Sequence, residues 1–368
     1  MKIAYLGVKG LPAHSGAERT VEAIATRLAS RHEITVYCSS WYTPSTATVQ
    51  GIHLVRLPGL KGKYTHMASV DFLAACHAVL RGDYDLIHLH HIEAGFVLPL
   101  LRLKYPVVST AHGFAYRREK WSPIARKLLF RMDRPFVKLS TVVTSVSAKD
   151  SVELQSRYRR QVFYIPNGVD LGAKLNAEKI RTFLTQNGLN SGEYLLFVTG
   201  RIEPTKGAHL AIEAVNRLKE DIPLLVILGE EGTQIPAYVR KLHQMAGMRI
   251  VFHSPIEDTS LLLGLMSNSR GLVFPSSVEA MSMVLLEAAS SGVPVICSDI
   301  AENRDVMKED ALYFTSSNVE DLIARLDYAL SHRQAMIDMG QQARRRVLAE
   351  FNWDVIAERY DELYMMYK

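Results

Sequence analysis

Residues 271–299 read GLVFPSSVEAMSMVLLEAASSGVPVICSD. Two short runs rich in apolar and β-branched residues, GLVF and VPVICS, flank a segment in which Met283, Val284 and Leu286 supply the packing side of a helix. A strand, a helix and a second strand in this order form a βαβ unit with parallel strands. This stretch therefore predicts an α/β fold built on a parallel sheet.

The same alternation of short strands and longer amphipathic segments extends almost from end to end. One helix is predicted over residues 17–30, because Val21, Ile24, Ala25 and Leu28 recur on one face. The strand candidates of the first half are KIAYLGV, HEITVYCS, IHLVRLP, DLIHLHH, PVVSTAH, TVVTSVS and VFYIPNG, and those of the second half are YLLFVTG, LLVILGE, RIVFHS, GLVFPSS, VPVICSD and ALYF.

Turn residues mark a boundary between two domains. The breaker cluster Pro166-Asn167-Gly168 is followed by a polar, helix-like stretch, and Gly192 precedes a new series of strands. We expect the boundary between residues 168 and 192, with domains over residues 1–168 and 169–350. A chain of 368 residues, 48% of them apolar, is long enough for two buried cores.

Neither a membrane span nor a leader peptide is expected. No continuous apolar run reaches the roughly 18 residues that a bilayer requires, and the chain opens on the strand-like MKIAYLGV. These features predict a protein that stays in the cytoplasm.

Charge is distributed unevenly along the chain. The formal net charge of +5 is the sum of +13 over residues 1–190 and −8 over the remainder. Such asymmetry suggests an anionic partner for the first half, such as phospholipid headgroups, although charges that only solvate a surface are the alternative. Nucleic acid is not expected as a partner, because no nucleic-acid-reading motif is present.

Ligands of open α/β sheets bind beyond the carboxyl ends of the strands, and two candidate sites follow strands of the first half. In GLPAHSGAE, Gly16 opens a helix whose first amides favour a phosphate, unless the segment is a plain connecting loop. In STAHG, His112 comes directly after a strand, where it can donate to a sugar hydroxyl or be purely structural.

Two further candidate sites follow strands of the second half. Arg201 and Lys206 lie five residues apart in GRIEPTKG and can bind adjacent phosphates, or they form a solvated basic turn. Glu279 and Glu287 lie eight residues apart, and they can share one site if Glu279 precedes the helix; the alternative is an ordinary amphipathic helix with exposed acids.

Two patterns resemble metal sites, but we do not expect either to bind metal. Asp83-Tyr84-Asp85 precedes its strand and so lies at the edge of the sheet opposite the ligand cleft. His88, His90 and His91 have no further ligand at regular spacing, and a buried strand can hold a histidine whose hydrogen bonds are satisfied.

The order of these motifs resembles the large retaining glycosyltransferase family 4, and the resemblance spans nearly the whole chain. The matching segments are GLPAHSGAE, STAHG, IPNGVD, GRIEPTKG and, most specifically, EAMSMVLLEAASSGVPVICSD with its E-x7-E pair. The resemblance implies the GT-B fold, an α/β architecture of two Rossmann-like parallel-sheet domains that face each other across a cleft. It also implies that residues 351–368 form a helix that returns to the N-terminal domain.

The resemblance assigns roles to individual residues. Arg201 and Lys206 would neutralise the donor diphosphate, and His112 would contact the transferred sugar. Glu279 would hold sugar hydroxyls and Glu287 the nucleotide ribose. The remaining donor-binding groups are backbone groups, those of Gly16, Met281, Ser282 and Met283.

Two departures from the family pattern concern the sugar contacts. Ser15-Gly16 stands where paired glycines are common, and Ala280-Met281-Ser282 stands where a Gly-Phe-Gly type run is common. The opening GLPA is similar to members that build bacterial surface polysaccharides.

The reaction implied is the metal-independent, retaining transfer of a hexose from a nucleotide diphosphate sugar to a saccharide or lipid-linked hydroxyl acceptor, in polysaccharide or glycolipid biosynthesis. No cofactor beyond the sugar nucleotide is implied.

Residues 114–138 combine apolar side chains with an excess of basic ones, which favours peripheral contact with the anionic inner face of a membrane; a solvated helix is the alternative. The basic residues are Arg117, Arg118, Lys120, Arg126, Lys127, Arg131, Arg134 and Lys138.

Two other functions remain open. A nucleotide-sugar 2-epimerase of the same fold would also bind a diphosphate, but such enzymes lack the combination of E-x7-E with GRxxxxKG. A non-catalytic sugar-nucleotide-binding subunit is the second alternative. The presence together of His112, Arg201, Lys206, Glu279 and Glu287 favours an active enzyme.

Overall fold

The computed structural model describes residues 1–13, 16–62, 65–117, 121–171, 175–218, 224–231 and 236–367. It divides the chain into two compact units. Unit 1 comprises Met1–Gly168 and Trp353–Lys368, and unit 2 comprises Val169–Asn352. In the described part of the chain, no helix is long and apolar enough to cross a membrane.

Unit 1 is built on a parallel sheet with the strand order β3-β2-β1-β4-β5-β6-β7. The order reverses between β1 and β4, where Ile3 pairs with Leu86. The strands are β1 (Lys2–Leu6), β2 (Glu33–Ser39), β3 (Ile52–Leu57), β4 (Leu86–His90), β5 (Val107–Ala111), β6 (Val142–Ser145) and β7 (Phe163–Tyr164).

Helices cover this sheet, which is why β4 and β5 are buried along their whole length. Short 3₁₀ turns span Ile92–Val97 and Ala115–Arg117. The helices of unit 1 are α1 (Gly16–Leu28), α2 (His66–Arg81), α3 (Leu98–Leu101), α4 (Pro123–Arg131), α5 (Asp133–Leu139), α6 (Ala148–Tyr158) and, from the end of the chain, α15 (Trp353–Met365).

Helix α15 completes the core of unit 1. The Tyr364 hydroxyl lies 2.6 Å from His88 Nδ1 and 3.1 Å from the Tyr5 hydroxyl. Along the surface, Arg27 Nε donates to Asp354 at 2.6 Å and Arg31 contacts Glu358 at 2.7 Å. The last helix is therefore bound to unit 1 by buried hydrogen bonds as well as by exposed ion pairs.

Unit 2 repeats the architecture with a parallel sheet of order β10-β9-β8-β11-β12-β13. Its order reverses between β8 and β11, where Leu196 pairs with Leu272. The strands are β8 (Tyr194–Arg201), β9 (Leu224–Glu230), β10 (Ile250–His253), β11 (Gly271–Phe274), β12 (Val295–Ser298) and β13 (Leu312–Phe314).

Two apolar layers, one on each face of this sheet, form the core of unit 2. A 3₁₀ turn spans Pro204–Lys206. The helices are α7 (Ala177–Gln186), α8 (Ala208–Arg217), α9 (Pro236–Met245), α10 (Thr259–Ser267), α11 (Met283–Ser291), α12 (Ala301–Met307), α13 (Val319–Ser331) and α14 (Arg333–Glu350).

These elements confirm the predicted α/β class. Each of the strand candidates taken from the sequence overlaps a strand of the structure, and the helix predicted over residues 17–30 is α1. The polar stretch expected after Gly168 contains α7. Patterns of buried apolar residues predicted these elements well, because most of the strands are buried on both faces.

We predict that Asp71 makes unit 1 less stable as pH rises. Burial raises the pKa of Asp71 to about 8, and the charge of Glu93 adds to the effect. In the unfolded chain the pKa is about 4, so between pH ~4 and ~8 only the folded state keeps the proton, and stability falls across that window. Asp71→Asn should therefore raise the free energy of unfolding by a few kcal/mol (order of magnitude) at pH 8, with little change at pH 4.5.

Urea unfolding at both pH values measures this difference. Glu362→Gln serves as the control, because Glu362 is exposed on α15 of the same unit. An equal gain for Asp71→Asn at both pH values would contradict the prediction.

Candidate functional site

Two of the predicted site residues of unit 2, Lys206 and Glu279, meet where the strand order reverses. Strands β8 and β11 are neighbours in the sheet, and the connections that follow them lead to helices α8 and α11. Ligands of open α/β sheets bind at such a reversal. Arg201 ends β8, Lys206 lies in the connection that follows it, and Glu279 lies in the β11 connection.

Gly207 determines the path of the β8 connection. Its φ is +77°, a left-handed conformation that glycine adopts without strain, and it precedes α8. A Cβ atom at this position would lie 2.4 Å from the carbonyl oxygen of Pro275. The backbone of the β8 connection therefore packs directly on that of the β11 connection.

Hydrogen bonds and an ion pair join the same two connections. The Ser277 amide donates to the Thr205 carbonyl at 2.9 Å. Lys206 Nζ donates to Glu279 Oε1 at 2.6 Å. Two residues that the sequence singled out separately, 73 positions apart, thus form one charged pair.

The second predicted cation, Arg201, is the last residue of β8 rather than part of the loop after it. Its Nε lies 3.4 Å from Glu230 Oε2 at the end of β9, and both side chains are about half exposed, at 45% and 59%. An ion pair that exposed contributes about 0–1 kcal/mol, so an anionic ligand can replace Glu230 at little cost. Lys206 and Glu279 are less exposed, at 27% and 11%.

Helix α11 begins beside Glu279. Ser282 is its N-cap, and the side chain accepts a hydrogen bond from the Leu285 amide. The first turn of a helix leaves amides without partners inside the helix, and here these include the amides of Met283 and Val284. Glu279 precedes the helix and Glu287 lies on it, buried, which is the arrangement that a shared site requires.

Ser298, at the end of β12, and Asn303 support the site but were not predicted from the sequence. Asn303 Nδ2 donates to the carbonyl and hydroxyl oxygens of Ser298 at 3.0 and 2.9 Å, and Ser298 Oγ in turn donates to the Ser276 carbonyl. This chain of hydrogen bonds holds the start of the β11 connection. A serine directly after the apolar run VIC was the available signal.

In unit 1 the predicted site residues also follow strands next to the reversal. Gly16 is the first residue of α1, and His112 follows β5. The preceding loop is held by hydrogen bonds, since the Leu11 amide donates to Thr43 Oγ1 at 3.1 Å and the Ala13 amide to Glu22 Oε2 at 2.9 Å. Ser15, part of the same predicted motif, lies outside the described residues.

The IPNGVD motif has a defined contact in unit 1. Thr20 Oγ1 donates to Asn167 Oδ1 at 2.9 Å. The same hydroxyl lies 3.0 Å from the Gly16 carbonyl oxygen. This motif therefore contacts α1 at Thr20.

Histidines cluster at the ends of β4 and β5. His90 Nδ1 lies 2.9 Å from His112 Nε2, and the rings of His91 and His112 are 5.0 Å apart between centroids. His88 is the satisfied core histidine that the sequence suggested, because its two nitrogens contact Tyr364 and Thr110, each at 2.6 Å.

The aspartates that resembled a metal site have protein partners. Asp83 forms an ion pair with Lys2 Nζ at 2.7 Å, and Asp85 accepts from the Lys2 amide at 2.8 Å. Over the described ranges, no group of three or more His, Cys, Asp or Glu side chains is arranged to hold a metal ion.

The basic stretch of unit 1 forms two short helices. Helix α4 has no buried residue and exposes Ile124 and Leu128, at 84% and 59%, one helical turn apart. Lys127 follows Ile124 by three residues, and Arg131 follows Leu128 by three. Both basic residues are exposed on the same side of the helix. Helix α5 packs into the unit through Phe136 and Val137. Arg118 and Lys120 lie outside the described residues.

Two family models match the chain, one in each half. Residues 14–173 match the model described as Glycosyltransferase Family 4. Residues 179–346 match the model described as Glycosyl transferases group 1. The two matches contain each of the predicted site residues of their respective halves.

Similar proteins extend over nearly the whole chain. The chain is 26% identical to the putative glycosyltransferase YtcC of Bacillus subtilis, over 99% of this chain and 92% of YtcC. Sucrose-phosphate synthase from Thermosynechococcus elongatus matches with a TM-score of 0.81 at 21% identity, over 99% and 98% of the two chains. HepE of Anabaena, solved in complex with UDP-glucose, matches with a TM-score of 0.80 at 18% identity over both full lengths. The fold is GT-B.

Proposed function

The chain belongs to the family 4, group 1 glycosyltransferases, and from this premise we propose that it transfers a hexose from a nucleotide diphosphate sugar to a hydroxyl acceptor with retention of configuration. The observation that carries the proposal is the ion pair between Lys206 and Glu279 at the β8–β11 reversal. In this pair, a cation that would bind phosphate contacts a carboxylate that would hold sugar hydroxyls.

The charges of unit 2 fit a diphosphate. Arg201 and Lys206 would each contribute about 4 kcal/mol of Coulomb energy to a phosphate at 4 Å, at an effective dielectric of 20 and before desolvation. Arg201 is available because its pair with Glu230 is exposed and weak. Lys206 would lie between the diphosphate and Glu279, so the carboxylate stays neutralised when a second anion binds.

The same groups would stabilise the transition state. As the bond to the anomeric carbon breaks, negative charge grows on the departing diphosphate, and cations and helix amides aimed at that charge lower the barrier. Arg201, Lys206 and the amides of Met281, Ser282 and Met283 would act here, which removes the need for a divalent metal. A phosphate oxygen would accept the proton of the attacking hydroxyl on the face that the diphosphate leaves.

The remaining assignments follow the family pattern. Glu279 would hold sugar hydroxyls and Glu287 the ribose, for which its position on α11, after the first turn, is suitable. In unit 1, we assign the backbone of Gly16 to the diphosphate and the side chain of His112 to the transferred sugar. A role in the biosynthesis of bacterial polysaccharide or glycolipid is the context we propose.

A thermal-shift screen of nucleotide diphosphate sugars tests the proposal. A donor present at 100 times its dissociation constant should stabilise the protein by about 2.7 kcal/mol. The matched nucleoside monophosphate should have a much smaller effect, because it lacks the second phosphate. The screen identifies the donor, and transfer is then measured with that donor and saccharide acceptors.

Three results of these assays would contradict the proposal. The first is the absence of a shift with every donor. The second is epimerisation of the donor sugar without an acceptor, which would identify an epimerase. The third is a product whose anomeric configuration, read by NMR, is inverted relative to the donor.

We further propose that α4 contacts an anionic membrane surface on which a lipid-linked acceptor is presented. Its exposed apolar residues would enter the interface while Lys127 and Arg131 contact headgroups, each basic residue contributing about 1 kcal/mol. We predict that the protein sediments with vesicles containing anionic lipid, and that Ile124→Glu with Leu128→Glu lowers the bound fraction at least roughly tenfold.

The control is Leu80→Glu, which replaces another exposed leucine of unit 1, on α2. It should leave vesicle binding unchanged. Equal binding to neutral and anionic vesicles, or equal losses for both variants, would reject a specific role for α4.

A further inference from the structure

His90 and His112 share a hydrogen bond in the buried part of unit 1. His90 is the last residue of β4, and His112 is the first residue after β5. In the sheet, His90 of β4 pairs with Thr110 of β5, and His112 follows Thr110 by two residues. The two facing nitrogens, His90 Nδ1 and His112 Nε2, are 2.9 Å apart. One of them must donate and the other must accept.

The His90 ring is neutral and fixed in position. Burial, followed by the neighbouring His88, His112 and His91, lowers the pKa of His90 well below its usual value. The Tyr5 ring stacks on the His90 ring, with 5.9 Å between the ring centroids. The centroid of the His88 ring lies 4.1 Å from that of His90. A neutral imidazole carries one N–H donor and one lone-pair acceptor, so the position of a single proton decides the direction of the hydrogen bond.

The other nitrogen of His90 indicates where that proton lies. His90 Nε2 is buried and has no hydrogen-bond partner among the described residues. A buried N–H without a partner is less tolerable than a buried acceptor without one. The favoured tautomer therefore carries the proton on Nδ1, and the hydrogen bond runs from His90 Nδ1 to His112 Nε2.

This direction determines the state of His112. Because Nε2 of His112 accepts, it carries no proton, and the proton of a neutral His112 ring must lie on Nδ1. A cationic His112, or one protonated on Nε2, would donate to His90 and force the proton of His90 onto its unpartnered Nε2. The geometry opposes both of these states.

We propose that His90 is a positioning residue for His112, which it holds as the neutral tautomer protonated on Nδ1. The proposal rests on the role assigned above to His112 at the transferred sugar. In this state His112 presents an N–H donor, so it donates a hydrogen bond to a sugar oxygen and does not act as a base toward the acceptor hydroxyl.

The surrounding backbone supports a fixed arrangement. His91 has a φ of +69°, which costs about 1–3 kcal/mol for a residue other than glycine and persists only where the surroundings impose it. A Cβ atom on Gly7 would lie 2.1 Å from the His90 carbonyl oxygen. The end of β1 thus packs directly on His90 and limits its movement.

Histidine tautomers can be read directly by long-range ¹H–¹⁵N NMR of the ¹⁵N-labelled, ligand-free protein at pH 8. The His112 signals are assigned by their loss in His112→Gln. We expect His112 to show a protonated Nδ1 and an unprotonated Nε2. A protonated Nε2, alone or in a cationic ring, would overturn the proposal. Because this NMR measurement needs no substrate, its result does not depend on whether the chain transfers a sugar.

Two amide variants test the same assignment in the enzyme. The amide of asparagine reaches the position of Nδ1, whereas that of glutamine reaches about the position of Nε2. We expect His90→Gln to lower kcat roughly tenfold with little change in KM for the donor. We expect His90→Asn to retain kcat within about twofold, because it keeps the donor to His112. Equal losses in both variants, with the His112 tautomer unchanged, would overturn the role of His90.

Discussion

Replacing Arg201 and Lys206 together with alanine is expected to lower kcat/KM for sugar transfer by roughly 10⁴-fold, with about 10²-fold from each single change. Both cations are proposed to stabilise charge that develops on the departing diphosphate, so kcat should fall as well as affinity. Steady-state kinetics with the donor identified by thermal shift, together with calorimetric binding of the nucleoside diphosphate, separate the two contributions.

Arg217→Ala is the matched control for this prediction. Arg217 is the last residue of α8. Because α8 begins directly after the β8 connection, Arg217 lies at the end of the helix that is farther from Lys206. It forms a surface ion pair with Glu320 at 2.7 Å. Its loss should change stability and turnover little. If the double variant kept the turnover of this control, the proposed account of catalysis would fail.

Substitution of Gly207 by valine is expected to destabilise unit 2 by roughly 3 kcal/mol or more and to abolish transfer. A β-branched residue is strained at a φ of +77°, and its Cβ would overlap the Pro275 carbonyl oxygen. The β8 and β11 connections must then separate, which moves Lys206 away from Glu279. Urea unfolding measures the stability, and donor binding measures the site.

Two other glycines separate the causes of this loss. Gly188 has a φ of +61°, but a Cβ atom added there would meet open space among the described residues, so Gly188→Ala should cost only the conformational strain, about 1–2 kcal/mol. Gly200 has similar open space and no positive φ, so Gly200→Ala should change stability by less than ~0.5 kcal/mol. If Gly207→Val were no more costly than Gly188→Ala, close packing on Pro275 would not be the reason.

The sequence predicted the strands and helices better than the contacts between them. Strands such as GLVF and VPVICS were recognisable because burial on both faces leaves continuous apolar runs. The pairing of Lys206 with Glu279 could not be predicted, because it depends on which strands are neighbours and on the close packing of Gly207 against Pro275. The left-handed φ of Gly207 has no signature beyond the residue type.

The histidines show the same limit. A buried strand histidine was expected to be satisfied, and His88 is, with a partner for each nitrogen. His90, two residues later on the same strand, has a partner for Nδ1 but none for Nε2 among the described residues. The difference depends on the register between β4 and β5 and on the position of α15, neither of which local sequence patterns contain.

The attachment of α15 to unit 1 has a consequence for biosynthesis on the ribosome. Unit 2 is one continuous segment, Val169–Asn352, whereas unit 1 needs residues from both sides of it. Tyr360 and Tyr364, which are fully buried in unit 1, are translated after every residue of unit 2. Unit 1, most of which is synthesised first, therefore completes its fold last. Until then, nascent unit 1 exposes the apolar surface on which chaperones act.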